Sequence, residues 1–411
     1  MSRVIGANDR IRLGFIGVAN RGRQDLAAFL KHQDAEVVAL ADVSQSTLEE
    51  TNQKFLGGKA AMYGDFRQLI DRQDIDGVVI ATPDHWHAIM TISACNAGKD
   101  VYCEKPLSIT IYEGRRMVEA ARRNNRVVTV GLHRRSAPLY IKGAELVRSG
   151  GLGPVTVSRA YHRSNMFPNG IGHEKPADPP KDLNWDMWLG PRPARPFQAN
   201  IAPYKFRWWN LYSSQTANNG VHFLDSVRWF TGDLAPTSIC AMGGKFVVDD
   251  DRTISDTEHV SYQFPQRMVI FGMYESSGNR TLPREGYFEI RGTDGTLYCT
   301  DSYYEVIPEK PGQFQEGTSR GKAIKVEMPS RRNASHTELH ARNFLDCMRS
   351  RQKPNCDVEE GHRSTTMALL AKISLATRSR LEWDPVKEQI TNHPEANSML
   401  HYEYRAPWKL E

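Results

Sequence analysis

Cysteine is scarce in this chain, six in 411 residues, and no two stand as a Cys-x-x-Cys pair. That leaves out zinc-finger modules, and a chain of this size needs no disulfide framework. No apolar run approaches the roughly 20 residues of a membrane span. A dominant charge is also lacking: 53 Lys and Arg stand against 48 Asp and Glu, a net charge of +5. The basic residues are scattered, with small clusters at Arg331–Arg332 and Arg378–Arg380. A solvated surface explains them better than nucleic-acid binding, although they can attract anionic substrates. No internal repeat or low-complexity tract is present. The start, MSRVIGANDR, is polar and reads as carrying no signal peptide.

What is present suits two domains, since one ordinarily takes about 100–200 residues. Residues 11–16, 36–42 and 74–82 read as buried strands. Helical stretches separate them, and a further helix at 87–98 leads to a strand ending in Glu104-Lys105-Pro106. A charged amphipathic helix and the strand RVVTVGLH follow. Strands alternating with helices of this length predict a doubly wound parallel sheet, ending near residue 135. After a helix at 138–149 the pattern changes. Residues 164–207 are rich in Pro, Gly, Asn and Trp with little periodicity, and their aromatic content favours an ordered lid over a linker. A helix at 220–232 precedes strands and turns from 237 to 328, which read as an antiparallel meander. Helices return near 336–350 and 358–380.

Gly17-Val18-Ala19-Asn20-Arg21-Gly22 fits Gly-x-Gly-x-x-Gly with Ala in the middle, between a strand and a helix. The first Gly makes a tight turn, the last lets helix and strand approach, and the middle position must stay small so that backbone reaches a pyrophosphate. Asp42 ends the second strand, where an acid accepts from ribose hydroxyls and repels a 2′-phosphate. That favours NAD over NADP, with a helix cap as the plainer alternative. Thr82-Pro83-Asp84-His85-Trp86-His87 follows the third strand. His-x-His can hold a metal, but further ligands at suitable spacing are not evident. A loop against the cofactor, through Thr82, Pro83, His85 and His87, or plain helix capping explains the segment better. Lys105 falls at the carboxyl end of a parallel strand beside the nucleotide loop. A lysine there can polarise or deprotonate a sugar hydroxyl.

Together, Gly17–Gly22, Asp42, ATPDHWHA and YCEKPL resemble the Gfo/Idh/MocA family of NAD(P)-dependent oxidoreductases. The similarity continues through RSGGLGPV, WDMWLGP and GVHFLD, so it covers nearly the whole chain. The resemblance implies an α/β chain with an NAD-binding Rossmann domain at 1–135. It implies a second α/β domain at 136–411 with a large, open, mostly antiparallel sheet, which often makes the contact of a homodimer or homotetramer. It implies a carbohydrate or polyol substrate, with no nucleic-acid or membrane partner and no metal. Lys105 would then be the catalytic lysine, Pro106 would shape its turn, and Glu104 would lie near the cofactor. Relatives complete the site with an Asp and a His four residues apart. Here His222 matches the His, and Asn218 stands where the acid would be. Asn can orient a hydroxyl or imidazole but cannot titrate.

His133, Arg135, Tyr161, His162, Arg163 and Asp225 are further candidates to bind substrate, with ordinary structural roles equally open. The leading expectation is oxidation of a secondary ring hydroxyl by hydride transfer to NAD. A glycosidase that retains NAD and works by transient oxidation is the first alternative, and a non-catalytic sugar or nucleotide sensor the second. Similarity of the start to mature family members that follow a twin-arginine signal leaves a periplasmic location open beside the cytoplasmic default.

Overall fold

The structure, a computed structural model, describes residues 10–314, 321–328 and 335–410. The Arg331–Arg332 cluster and the first nine residues lie outside the described residues. The amino-terminal part is a six-stranded parallel sheet of β1 (Ile11–Ile16), β2 (Ala35–Ala41), β3 (Ala61–Tyr63), β4 (Gly77–Ile80), β5 (Asp100–Cys103) and β6 (Val128–Val130). The spatial order is β3-β2-β1-β4-β5-β6, so the winding reverses between β1 and β4. A crevice opens there at the carboxyl ends of the strands, the ordinary nucleotide site of such sheets. β4, β5 and β6 are buried along their whole length, as strands covered on both faces must be.

Five helices belong to this part: α1 (Asn20–Phe29), α2 (Gln45–Leu56), α3 (Phe66–Ile70), α4 (His87–Asn96) and α5 (Ile111–Arg123). α5 begins on a capping box in which Thr110 and Glu113 satisfy each other's backbone. Residues 74–82, expected as the third strand, contain the fourth, β4, because β3 and α3 precede it. At three and five residues, neither is long enough to show a period.

The second part opens with α6 (Pro138–Arg148), β7 (Val155–Arg163), α7 (Trp185–Leu189) and α8 (Val221–Thr231). Seven strands follow: β8 (Ser238–Gly244), β9 (Thr257–Gln263), β10 (Met268–Tyr274), β11 (Phe288–Gly292), β12 (Gly295–Cys299), β13 (Tyr303–Pro308) and β14 (Ile324–Glu327). The chain ends with α9 (His336–Ser350), α10 (Val358–Thr377), β15 (Leu381–Asp384), β16 (Gln389–Ile390) and α11 (Pro394–Ser398). The ten-stranded sheet has the order β14-β13-β12-β11-β7-β10-β9-β8-β15-β16. It is not a simple meander, because β7 enters its middle and pairs parallel with β10 and antiparallel with β11.

Late elements return to the first sheet. Phe344 and Leu345 of α9 join the core that contains Phe15, Phe29 and Tyr102, and Arg342 binds Asp34 at 2.7 Å. The non-periodic stretch after β7 has its own core of Ile171, Trp185, Trp188, Phe197, Ile201, Phe206, Trp208, Trp209 and Tyr212. Trp185 stacks on Trp188 with centroids 4.7 Å apart. It is the ordered lid expected from its aromatic content.

Candidate active site

The nucleotide loop is built by exclusion. Gly17 has φ +81°, and a Cβ there would sit 2.7 Å from the Thr82 amide nitrogen. A Cβ on Gly22 would sit 2.0 Å from the Gly17 oxygen, so α1 can lie this close to the loop only with glycine. Gly17, Ala19, Asn20, Arg21, Asp42, Thr82 and Pro83 line one cleft. Asp42 is half-buried at the end of β2, and its carboxylate accepts from the Val18 amide at 2.9 Å and the Ser44 amide at 3.0 Å. Burial pushes its pKa up against those backbone donors. Each oxygen keeps a second lone pair for a ribose hydroxyl. A narrow glycine turn, a helix amino terminus and a strand-end acid fit a dinucleotide.

Behind the loop, Arg21 binds two acids, Glu104 and Asp25, each at 2.9 Å. Burial would raise Glu104, but Arg21 and Lys105 hold it below the usual carboxylate range. Asp25, fully buried and beside the Glu104 charge, is pushed well up. Glu104 also accepts from the Lys105 amide at 3.1 Å. Asp25 carried no signal in the sequence; its position one turn beyond Arg21 on α1 was the available clue.

Lys105 emerges from the end of β5, and its Nζ donates to the backbone oxygen of Asn218 at 2.8 Å. Asn218 lies in a π-turn, Thr216–Gly220, that runs into α8. Such a turn departs from the α-helical i to i−4 bonding and recurs at functional sites. Burial lowers the Lys105 pKa to about 8. His222 is in the first turn of α8, and its ring lies 5.1 Å from that of His133. Burial, with Lys105 adding to it for His222 and Arg21 for His133, pushes both pKa values well down. Both rings are therefore neutral near pH 7. Among the described residues neither Nδ1 has a hydrogen-bond partner.

His85 and His87 are buried and bind backbone. His85 Nε2 faces the Trp188 oxygen at 2.9 Å. His87 faces the Pro106 oxygen through Nδ1 at 2.8 Å and the Thr82 oxygen through Nε2 at 3.0 Å. Only an imidazolium donates from both nitrogens. Burial alone would lower the His87 pKa, but Cys103, Asp84 and the Pro106 carbonyl hold it up to about 10. These histidines fix the loop ends around the cleft through backbone oxygens, and neither is among the residues that line it.

Five substrate candidates fall as follows. Arg135 and Asp225 are buried and bind each other at 2.8 Å, with Glu360 and Ser364 completing the cluster. Their charges are spent on the frame. Tyr161 lies beside Tyr274, 5.8 Å between centroids, on the sheet face opposite the buried Ala160. Arg163 shares that face by strand alternation. His162, one residue on from Tyr161, points to the helix side, and burial lowers its pKa to about 4. Asp84 accepts from Ser213. Asp182 and Arg207 line the cleft from a segment with no periodic signal, so the sequence did not single them out.

The chain matches the Gfo/Idh/MocA oxidoreductase family model with NAD-binding Rossmann fold over residues 11–132. It matches that family's carboxyl-terminal α/β domain over 142–308 and 321–410. It is 29% identical over 161 residues to an inositol 2-dehydrogenase of Salmonella typhimurium, covering 38% of this chain and 48% of that enzyme. The chain thus spans about half the length of that relative. It is 22% identical to a myo-inositol 2-dehydrogenase of Thermotoga maritima over 92% of this chain and 99% of that one. The structure of a levoglucosan dehydrogenase complexed with NADH and levoglucosan superposes with a TM-score of 0.70. It is 18% identical, covering 91% of this chain and 99% of the other, a likeness of fold.

Proposed function

Because the chain belongs to the Gfo/Idh/MocA oxidoreductase family, we propose that it oxidises a secondary ring hydroxyl of a sugar, glycoside or polyol by hydride transfer to NAD. The supporting observation is the pairing of Lys105, with a pKa near 8, and the neutral His222 beside a dinucleotide cleft. The named relatives act on inositol, and a structure of the same fold was solved with levoglucosan. NAD, when bound, supplies the hydride acceptor; this chain's residues do the positioning and the proton transfer.

Lys105 holds the reacting hydroxyl oxygen, and its ammonium stabilises the alkoxide character that develops as the hydride leaves. His222, neutral near pH 7, takes the hydroxyl proton, or Lys105 does in its deprotonated fraction, which grows as pH rises through about 8. Asn218 orients the pair: its carbonyl fixes Lys105, and its residue type adds no competing charge. Asp42 takes the adenosine ribose and selects NAD over NADP. We take residues 1–135 as the nucleotide domain and 136–411 as the substrate and oligomerisation domain.

The test is purified protein with a panel of sugars, inositols and nitrophenyl glycosides, followed for NADH and nitrophenol together. Reduction of the nucleotide by one substrate class supports the reading. No reduction of free or bound nucleotide by any of them would overturn it.

A further inference from the structure

Two carboxylates meet at Ser44. Its amide donates to Asp42 at 3.0 Å, and its hydroxyl donates to Asp182 at 3.2 Å. Asp42 follows β2, whereas Asp182 comes from the tryptophan-rich lid, and both line the nucleotide cleft. Asp182 accepts a second bond, at 2.5 Å, from the Ser46 hydroxyl. Backbone fixes the placing as well. Gln45 donates its amide to the Asp182 oxygen at 2.9 Å, and Asn184 donates to the Val43 oxygen at 2.9 Å. Ser44 and Leu183 form an antiparallel bridge between them. The Asp182 side chain is thus exposed to solvent but held against the start of α2.

The opening amides and dipole of a helix favour negative charge, which is why such ends hold phosphates. Ser44 caps α2 by accepting the Thr47 amide at 3.3 Å, and Ser46 lies in the first turn. Here the anion at that end is a side chain of the protein itself. The Ser46 hydroxyl, with Ser44 adding to it, holds the Asp182 pKa below the ordinary carboxylate value. The cations nearby are committed elsewhere. Among the described residues the basic side chains lining the cleft are Arg21 and Arg207. Arg21 serves Glu104 and Asp25, and Arg207 donates to the Tyr204 oxygen at 2.7 Å. Arg23 of α1, within electrostatic reach of Asp42, is bound to Glu50 and to the Thr51 hydroxyl, each at 2.8 Å.

We propose that Asp182 is a second determinant of nucleotide selectivity: the lid sets its carboxylate beside Asp42, on the serines of α2, and so excludes a 2′-phosphorylated dinucleotide. The proposal rests on the dinucleotide site given above, but not on the hydride chemistry. A 2′-phosphate carries about −1.5 to −2 charge at neutral pH. An Arg near the strand-end position ordinarily accommodates it. In this cleft it would meet two carboxylates, and the serines that could bind it already donate to Asp182. Replacing Asp42 alone therefore leaves NADP disfavoured. Selectivity is divided between the first sheet and a lid residue far from it in the chain.

The experiment titrates NAD and NADP into the full chain, freed of nucleotide, by calorimetry. Wild type is compared with Asp42→Ser, Asp182→Asn and the double variant. Asp182→Asn keeps the size and an acceptor oxygen for Ser46 but removes the charge. The ratio of the NADP to the NAD dissociation constant should fall at least tenfold in Asp182→Asn, and further in the double variant than in Asp42→Ser. The wild-type ratio should also narrow as salt is raised, because exposed charges are screened. A ratio unchanged by Asp182→Asn would overturn the proposal, and so would equal weakening of both nucleotides, which is the mark of a mere lid fastener. Wild type that binds NADP as tightly as NAD would overturn it too. Should Asp182→Asn misfold, Asp182→Ser is read by the same titration. Binding of neither nucleotide by wild type would sink the dinucleotide site itself. Selective NAD binding without reduction by any carbohydrate would sink the hydride chemistry and leave the role of Asp182 standing.

Discussion

Lys105 Nζ donates to the Asn218 backbone oxygen at 2.8 Å, tying the end of β5 in one sheet to the π-turn before α8. Lys105 is thus held by the turn that leads into the helix carrying His222. The bond keeps the amine in place without neutralising it, while burial brings its pKa to about 8.

If Lys105 takes the proton, kcat/KM rises with pH through about 8 and then levels, since deprotonation creates the acceptor. Lys105→Ala should lower kcat about 10²–10⁴-fold, the usual size of general acid–base contributions. Nucleotide binding should stay measurable by fluorescence titration. Full activity in the variant would remove Lys105 from the chemistry.

His87 stabilises the fold as a cation. Its folded pKa, about 10, lies above the ordinary 6.5. That stability is complete below about 6.5 and fades as pH rises toward 10. His87→Gln should lower stability by about 1.5–3 kcal/mol near neutrality, the worth of a hydrogen bond to a charged group. It should also flatten the fall across that pH range in thermal melts. A melt-versus-pH slope unchanged by the substitution would count against the imidazolium.

Arg135 and Asp225 form a buried pair, so losing one partner strands the other. Asp225→Ala should cost about 3–5 kcal/mol. Replacing both with apolar residues of similar volume should restore much of that loss. Denaturant midpoints compare the three proteins. A mild effect of Asp225→Ala on stability together with a raised KM would return Asp225 to substrate contact.

Asp42→Ala removes the acceptor of the Val18 and Ser44 amides and the charge beside the ribose. NAD affinity should fall about tenfold or more, NADP affinity less, as measured by calorimetry on nucleotide-free protein. A hydrogen bond to a charged group sets that scale. Equal losses for the two nucleotides would take Asp42 out of the selectivity.

Amino-acid order by itself determined the parallel sheet, the glycine loop, Asp42, Lys105 and His222. Each of these is written locally: in continuous apolar strands, in a turn that only glycine fits, and in acids and bases at strand ends. Helices α9 and α10 were legible for the same reason, but not their destinations. Whether Phe344 packs on Phe29, or Arg135 on Asp225, depends on contacts between residues far apart in the chain. Strand alternation likewise sent Tyr161 to one face of the second sheet and His162 to the other. Only the tertiary structure decided that the tryptophan-rich segment lines the cleft at the glycine loop. No local period encodes that placement, because the lid's order comes from its own aromatic core and from partners as distant as Val43 and Arg405.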